Sequence, residues 1–266
     1  MRKLTVHCLP MFKTLLKIHL MPQQVTLTRS RRWQQEDGTK PSEINTHEAN
    51  EHSQEWAIEA CRKLLGQDSD TGNLHITYSD LWARYDLIQL GEAALGDEDA
   101  LSLARAQFSR HYPGADSASW PLRVARQGKK MLVAGMNPSL LTAVKLLAVE
   151  SGKCLVRAEP LFAKVLDQYE KVLTGTDGWI LLDEPGMLIA AFMERGHLFS
   201  IHSQRNDEVE REKAVQLLLD RQAALISRPA GEVRIFSYSG IPLALQNPWR
   251  ISQFCIIGHT SATPSY

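Results

Sequence analysis

The chain has 266 residues, 44% of them hydrophobic and 23% charged, which is enough for one large or two modest soluble domains. Basic and acidic side chains number 30 each, and this balance excludes a nucleic-acid-coating or acid-rich protein. The first 35 residues nevertheless hold seven Lys or Arg and no Asp or Glu, which leaves a net charge of −7 on the remainder. Such a segment is either a strand pair with a solvated basic face or a surface that faces anionic lipid or an acidic partner.

The N-terminal half opens with a predicted hairpin. Residues 16–21 and 25–30 alternate apolar and polar side chains on either side of Pro22, as two paired strands do. The polar, acidic stretch at residues 34–55 predicts a mobile loop, because it has few groups able to repay the entropy of ordering. A helix through residues 56–65 follows the loop. The next predicted elements are two strands and a helix, at residues 73–79, 82–90 and 97–111.

The elements predicted after residue 111 are again hairpins, strands and helices. A second hairpin is predicted at residues 120–125 and 131–134, and a helix begins at Pro138, where the first turn tolerates proline. A strand at 154–158 and a helix at 161–173 come next. Three strands then follow, at residues 179–183, 187–193 and 198–202. A long helix at 207–226 and a final strand at 232–238 come after them. The pattern of residues 241–266 predicts no element.

This order of elements predicts the fold class. A three-stranded meander followed by a helix and a strand occurs twice, which is typical of the mixed α/β ribonuclease H-like and actin-like ATPase fold. We therefore expect one ribonuclease H-like lobe over residues 1–160, with an inserted segment and the mobile loop at 34–55. A second such lobe is expected over residues 161–266.

The sequence contains no complete phosphate-binding or catalytic motif. The Gly-Lys pair at residues 152–153 lacks the rest of a phosphate-binding loop, and Asp183-Glu184 is better interpreted as the start of a turn than as paired catalytic acids. A ribonuclease H-like nuclease is disfavoured because the strands within residues 16–30 contain no acid. No apolar run approaches the length of a membrane span, and the N-terminus does not resemble a secretory signal, so a cytoplasmic location is expected.

Several segments carry a resemblance to a known group of proteins. They are residues 74–80 running into 82–85, residues 104–108 with Trp120, residues 134–136, residues 156–160, and Trp179 at the start of the second meander. On these segments, which lie within residues 17–236, the chain resembles the PilM and GspL group. These are actin-like-fold proteins of the inner-membrane assembly platforms of type IV pili and type II secretion.

The resemblance implies a degenerate member with no enzymatic activity and no cofactor. Relatives that bind ATP carry an Asp-x-Gly turn between the first two strands of each lobe. The first turn here, Met21-Pro22-Gln23-Gln24, has neither residue, and the second inserts Pro185 between Asp183 and Gly186. If a nucleotide binds, Asp183 and Gly186 are the expected contacts. The alternative is a functional actin-like ATPase with ATP and Mg²⁺.

The resemblance also implies partners. A non-catalytic scaffold at the inner membrane would bind the short cytoplasmic tail of a platform protein, with an assembly ATPase as a second candidate partner. By analogy the partner surface lies on the first lobe, around Arg84, Tyr85, Trp120 and Arg123, residue types that often anchor interfaces. The competing interpretation of Trp120 is a plain core tryptophan.

Overall fold

The computed structural model describes residues 14–31, 43–48, 53–68, 72–91, 96–113, 119–206 and 210–256. The strands of the first part of the chain are β1 Thr14–Leu20, β2 Gln24–Arg31, β3 Glu43–Glu48, β4 Asn73–Tyr78, β5 Ala83–Gln89, β6 Leu122–Gln127, β7 Lys130–Met136 and β8 Cys154–Pro160. Those of the second part are β9 Gly178–Glu184, β10 Gly186–Glu194, β11 His197–Asn206, β12 Glu232–Ser237 and β13 Arg250–Cys255. The helices are α1 Gln54–Gly66, α2 Asp97–His111, α3 Pro138–Glu150, α4 Leu161–Gln168, α5 Glu170–Leu173 and α6 Arg211–Leu225.

The first lobe is built on a five-stranded sheet in the order β3-β2-β1-β4-β8. β1, β2 and β3 form an antiparallel meander, whereas β4 runs parallel to β1 and β8 parallel to β4. α1 connects the meander to β4. Its N-cap is Ser53, whose hydroxyl accepts a hydrogen bond from the backbone N–H of Trp56 at 3.0 Å. The apolar face of α1, including Ala57 and Cys61, is buried, and α1 lies against β1 and β2.

The second lobe repeats this plan with the sheet order β11-β10-β9-β12-β13. β9, β10 and β11 are antiparallel, and β12 and β13 run parallel to β9. α6 connects the meander to β12, and its buried side chains pack on one face of the sheet with Trp179, Leu181 and Ile235. The predicted mixed α/β class with two ribonuclease H-like lobes is therefore confirmed.

The inserted segment of the first part of the chain forms a small sheet of its own. Its strand order is β5-β7-β6, and α2 lies between β5 and β6 in sequence. Gly135 on β7 permits close packing here: a Cβ at this position would lie 2.6 Å from Cζ of Phe108 on α2 and 3.0 Å from Cε3 of Trp120. Glycine at residue 135 is thus required by the two aromatic rings that pack against its backbone.

The chain divides into two compact units. The first comprises residues 1–84, 92–124 and 133–164, and the second comprises residues 85–91, 125–132 and 165–266. Both units have buried cores of aliphatic and aromatic side chains: Leu16, Ile18 and Phe108 are fully buried in the first, and Trp179 and Phe236 in the second.

Two sequence-based assignments need correction. The loop predicted at residues 34–55 is wrong at Glu43–Glu48, which pair with β2 as an edge strand. The sequence of this edge strand is mostly polar, so its composition resembles that of a loop. Residues 32–42 and 49–52 lie outside the described residues. The second correction is at Arg250–Cys255, which had no predicted element and form β13 beside β12.

Candidate functional site in the strand turns and the inserted sheet

The first candidate site is the turn between β1 and β2. The backbone N–H of Met21 donates to the carbonyl of Gln24 at 3.0 Å, which leaves Pro22 and Gln23 as the two corner residues. Pro22 is buried and has no N–H to donate. The last residue of β1 is the fully buried Leu20, so the strand end presents an apolar side chain where an ATP-binding turn would present a carboxylate.

The turn between β9 and β10 has the same length. Glu184 pairs with Met187, with Pro185 and Gly186 at the corners. Gly186 has a φ of 80°, which suits the second corner of a type II turn, a position that favours glycine. Both lobes therefore place proline at the first corner of the hairpin that follows their first strand.

Asp183 ends the buried part of β9 and is held by two neighbours. Its Oδ1 accepts from Nε of Arg211 at 3.1 Å, and its Oδ2 accepts a hydrogen bond from Nη2 of the same guanidinium. The hydroxyl of Ser237, at the end of β12, donates to Oδ2 at 3.3 Å. Asp183 is only 4% exposed, so its negative charge is compensated within the protein by a bidentate arginine.

The sequence did not indicate this network, because Arg211 lies 28 residues and Ser237 54 residues from Asp183. Arg211 is the first residue of α6, and Ser237 is the last residue of β12. The carboxyl ends of the parallel strands β9 and β12 meet at one edge of the sheet, next to the start of the connecting helix. This topology brings the three side chains together.

Two of the four predicted partner-binding residues lie on β5. Tyr85 is 7% exposed and therefore buried. The guanidinium of Arg84 donates to the carbonyls of Ala83 at 2.8 Å and Leu81 at 3.4 Å, so it is bound to its own segment of backbone. Both residues are thus committed to local structure.

The other two residues are at the opposite strand of the same sheet. Trp120, just before β6, is half-buried, and its ring lies 5.6 Å from the ring of Phe108. Arg123 on β6 is exposed. β7 separates β6 from β5 in the strand order, so the structure groups Trp120 with Arg123 and places Arg84 and Tyr85 on a different strand.

Within the described ranges, no cluster of three His, Cys, Asp or Glu side chains could hold a metal ion. Among the described helices, none combines the length and the apolar character of a membrane span. The candidate sites are therefore the two turns and the exposed part of the inserted sheet.

Comparison with known proteins adds the fold family. No protein-family model matches the chain, and no curated protein matches it. Solved structures do match. They include an actin-like ATPase fold protein of unknown function from Bacteroides thetaiotaomicron, with 11% identity, a TM-score of 0.57, and coverage of 85% of this chain and 81% of that one. This chain has the actin-like ATPase fold.

Two further matches belong to secretion and pilus systems. The cytoplasmic domain of EpsL, an inner-membrane component of the type II secretion system of Vibrio cholerae, is 11% identical, with a TM-score of 0.57 and coverage of 91% and 90%. A structure of the PilM–PilN type IV pilus biogenesis complex is 10% identical, with a TM-score of 0.61 and coverage of 84% and 81%. The similarity of this chain to the PilM and GspL group is thus confirmed at the level of the fold.

Proposed function

We propose that this protein is a non-catalytic adaptor of a pilus or secretion assembly platform, located in the cytoplasm and peripheral to the inner membrane. It would bind the short cytoplasmic tail of a membrane partner, and an assembly ATPase is a second candidate partner. The observation that carries the non-catalytic part is the saturated carboxylate of Asp183, bound by Arg211 and Ser237.

The geometry of the turns supports the absence of nucleotide chemistry. Phosphates in such turns are held by backbone N–H groups and by Mg²⁺ on a carboxylate. Pro22 and Pro185 supply no N–H at the first corner of either turn. The first lobe has Leu20 at the strand end, and the one acid of the second lobe at this position, Asp183, already neutralises a guanidinium.

The partner surface is supported by chemistry and by the solved structures of similar fold. One of these is the PilM–PilN type IV pilus biogenesis complex, so a protein of this fold occurs in a complex with another protein. On this chain, Trp120 and Arg123 offer a half-buried aromatic ring beside an exposed cation, a common composition for an interface anchor. Arg84 and Tyr85, the other two predicted residues, lie on β5.

Two experiments test the proposal. Calorimetric titration with ATP and Mg²⁺ should give no binding in the micromolar range, which corresponds to about −8 kcal/mol. A micromolar dissociation constant would instead favour the actin-like ATPase, with Asp183 and Gly186 as contacts.

The second experiment uses synthetic cytoplasmic tails of single-span proteins encoded beside this chain. Arg123→Glu should abolish capture of the cognate tail and leave the melting temperature unchanged, because this side chain is exposed. Lys145→Glu, the same charge change at an exposed position of α3, should retain capture. Equal capture by both variants would remove Arg123 from the interface.

A further inference from the structure

Three basic side chains form a row across the first lobe. Lys17 on β1 pairs with His75 on β4, and His75 pairs with Arg157 on β8. Residues directly opposite one another on neighbouring strands project from the same face, about 4.8 Å apart. The row therefore crosses three strands on the face opposite to Leu16 and Ile18, which are the buried residues that alternate with it on β1.

Two more basic side chains extend the row. His19 lies two residues along β1 from Lys17, on the same face. The side chain of Lys164 on α4 reaches this face, because its Nζ lies 2.7 Å from Nε2 of His19. Lysine has only donors, so His19 accepts this hydrogen bond through an unprotonated Nε2. We call the set Lys17, His19, His75, Arg157 and Lys164 the basic face.

Burial and neighbouring positive charges lower the pKa of several groups of the basic face. Burial, followed by the charges of Lys164 and Lys17, lowers the pKa of His19 to about 3. Burial also lowers the pKa of Lys164 to about 8, with Lys17 and Arg157 contributing and Glu159 opposing. The pKa of His75 is lowered by burial and then by Arg157, Lys17 and Lys164. Each cation thus makes its neighbours harder to protonate.

Glu159 compensates part of this positive charge. Glu159 lies on the same face, opposite Thr77, and its carboxylate is 2.5 Å from Nη2 of Arg157. Within the described part of the chain, no ion pair joins Lys17, His75 or Lys164 to a carboxylate. Lys17, Lys164 and Arg157 carry the positive charge of the basic face, and such a cluster attracts an external anion.

We propose that the basic face is a binding site for an acidic peptide segment of a partner protein. The proposal concerns a different surface from Trp120 and Arg123 and does not depend on the proposed function. A row across three strands matches several carboxylates spread along a peptide better than it matches one compact anion. A phosphate site would use backbone donors at a helix start, but the N–H of Phe162 on α4 already donates to Asp80 at 2.8 Å.

The burial of the basic face argues against a membrane surface as its ligand. All five side chains are half-buried, and Lys164 approaches from a helix packed on the sheet. Cations that attract a flat anionic bilayer lie exposed at the surface, where they reach the headgroups. A flexible peptide can reach partly buried side chains that a flat bilayer does not.

The test uses fluorescence anisotropy with a labelled peptide of about eight residues in which Glu and Ser alternate. A peptide with Gln in place of Glu is the neutral control. The wild-type chain should bind the acidic peptide, and Lys17→Glu should weaken binding at least about tenfold, or 1.4 kcal/mol. Lys145→Glu, on the exposed side of α3, should change it by less than about twofold. Unchanged melting of Lys17→Gln, a milder variant, would show that weakened binding is not unfolding.

Histidine resonances give a second readout. The acidic peptide should raise the pKa of His75 in an NMR titration, whereas His202 in the second lobe should not respond. Binding of the Gln peptide with equal affinity, or equal weakening by Lys17→Glu and Lys145→Glu, would overturn the proposal. So would binding of inorganic phosphate or of phosphatidylglycerol vesicles, dependent on Lys17, without binding of the acidic peptide.

Discussion

The two lobes carry different side chains at several equivalent positions of their five-stranded sheets. In the first lobe, Leu20 and Tyr78 form the last pair of the central parallel strands, as Asp183 and Ser237 do in the second. Lys17 lies three residues before Leu20, and Ile180 lies three residues before Asp183, so the two residues occupy equivalent positions. The equivalents of His19, Thr77 and Glu159 are Leu182, Phe236 and Phe254.

In the second lobe Ile180, Leu182, Phe236 and Phe254 form a hydrophobic layer on this face, whereas the equivalents of His75 and Arg157 are the polar residues Arg234 and Ser252. Ile180, Leu182 and Phe236 are fully buried, and the ring of Phe236 stacks on that of Phe254 at 5.0 Å. Tyr169, between α4 and α5, covers both rings at 4.7 and 5.5 Å. At the positions of Lys17, His19 and Glu159 the same architecture thus takes apolar side chains in the second lobe. The difference teaches that the fold does not require charge at these three positions.

At the ends of the central strands, the second lobe carries the charged residues and the first lobe does not. The second lobe has the charged pair Asp183 and Arg211, whereas the first has Leu20 at the strand end and Gln54 as the first residue of α1. Gln54 donates to the hydroxyl of Ser139 at 3.0 Å instead of to a strand end. Each lobe therefore concentrates its charge in a different place, and exchanging residues between equivalent positions tests whether each arrangement is structural.

The largest effect is expected from moving a charge into the hydrophobic layer. Ile180→Lys should lower the free energy of unfolding by about 3–5 kcal/mol, because it leaves an ammonium group without a counter-charge in a fully buried position. Urea unfolding followed by tryptophan fluorescence measures this change. Ile180→Val is the matched control, expected to cost about 0.5–1.5 kcal/mol. Near-wild-type stability of the lysine variant would show that water reaches the layer.

The strand-end pair gives the second prediction. Asp183→Leu, which copies Leu20, should cost about 3 kcal/mol, at the low end for a broken buried pair because the side chain of Arg211 is 24% exposed. The double variant Asp183→Leu with Arg211→Gln copies Leu20 and Gln54 of the first lobe and should recover much of the loss. A double-mutant cycle should give a coupling energy of at least about 1 kcal/mol. Additive losses would show that the pair contributes nothing beyond its separate packing.

The repetition of elements could be predicted from the sequence because it depends on local patterns. Alternation of apolar residues and a turn at Pro22 and Pro185 marked both hairpins, and Pro138 does start a helix. The failures have a shared cause. β3 and β13 are edge strands at the ends of their sheets' strand orders. β3 is mostly polar in sequence, and β13 has no fully buried residue, so neither shows a clear apolar alternation.

The candidate sites were less predictable because they depend on register. That Asp183 and Gly186 flank a proline could be seen in the sequence, but the arginine that binds Asp183 comes from the next helix of the lobe. The basic face joins β1, β4, β8 and α4, four segments spread over some 150 residues. The excess of basic residues near the N-terminus was a partial signal, since Lys17 belongs to it. The strand pairing that aligns Lys17 with His75 and Arg157 had no sequence signal.

The third prediction concerns pH. His19 has a folded-state pKa of about 3, below its ordinary value near 6.5, so the unfolded chain binds the extra proton and stability falls as pH is lowered through this window. The loss per pH unit is at most about 1.4 kcal/mol for one histidine. His19→Gln, which keeps an acceptor for Lys164, should flatten the decline between pH 6.5 and 4 in pH-dependent urea unfolding. His202→Gln is the control in the second lobe, where burial and Arg221 lower the pKa less. A larger flattening by the control would assign the acid sensitivity to the second lobe.

The smallest effect is expected from the reverse exchange, Lys17→Ile, which gives the first lobe the residue of the second. It removes repulsion toward His75 and Lys164, and it adds apolar area at a half-buried position. We expect the free energy of unfolding to stay constant or to rise by up to about 1 kcal/mol, in contrast to the large loss for Ile180→Lys. The same variant should bind the acidic peptide more weakly, so stability and binding would change in opposite directions. If Lys17→Ile were instead destabilised by more than about 1 kcal/mol, Lys17 would be a structural residue and the charged layer of the first lobe would be part of its folding.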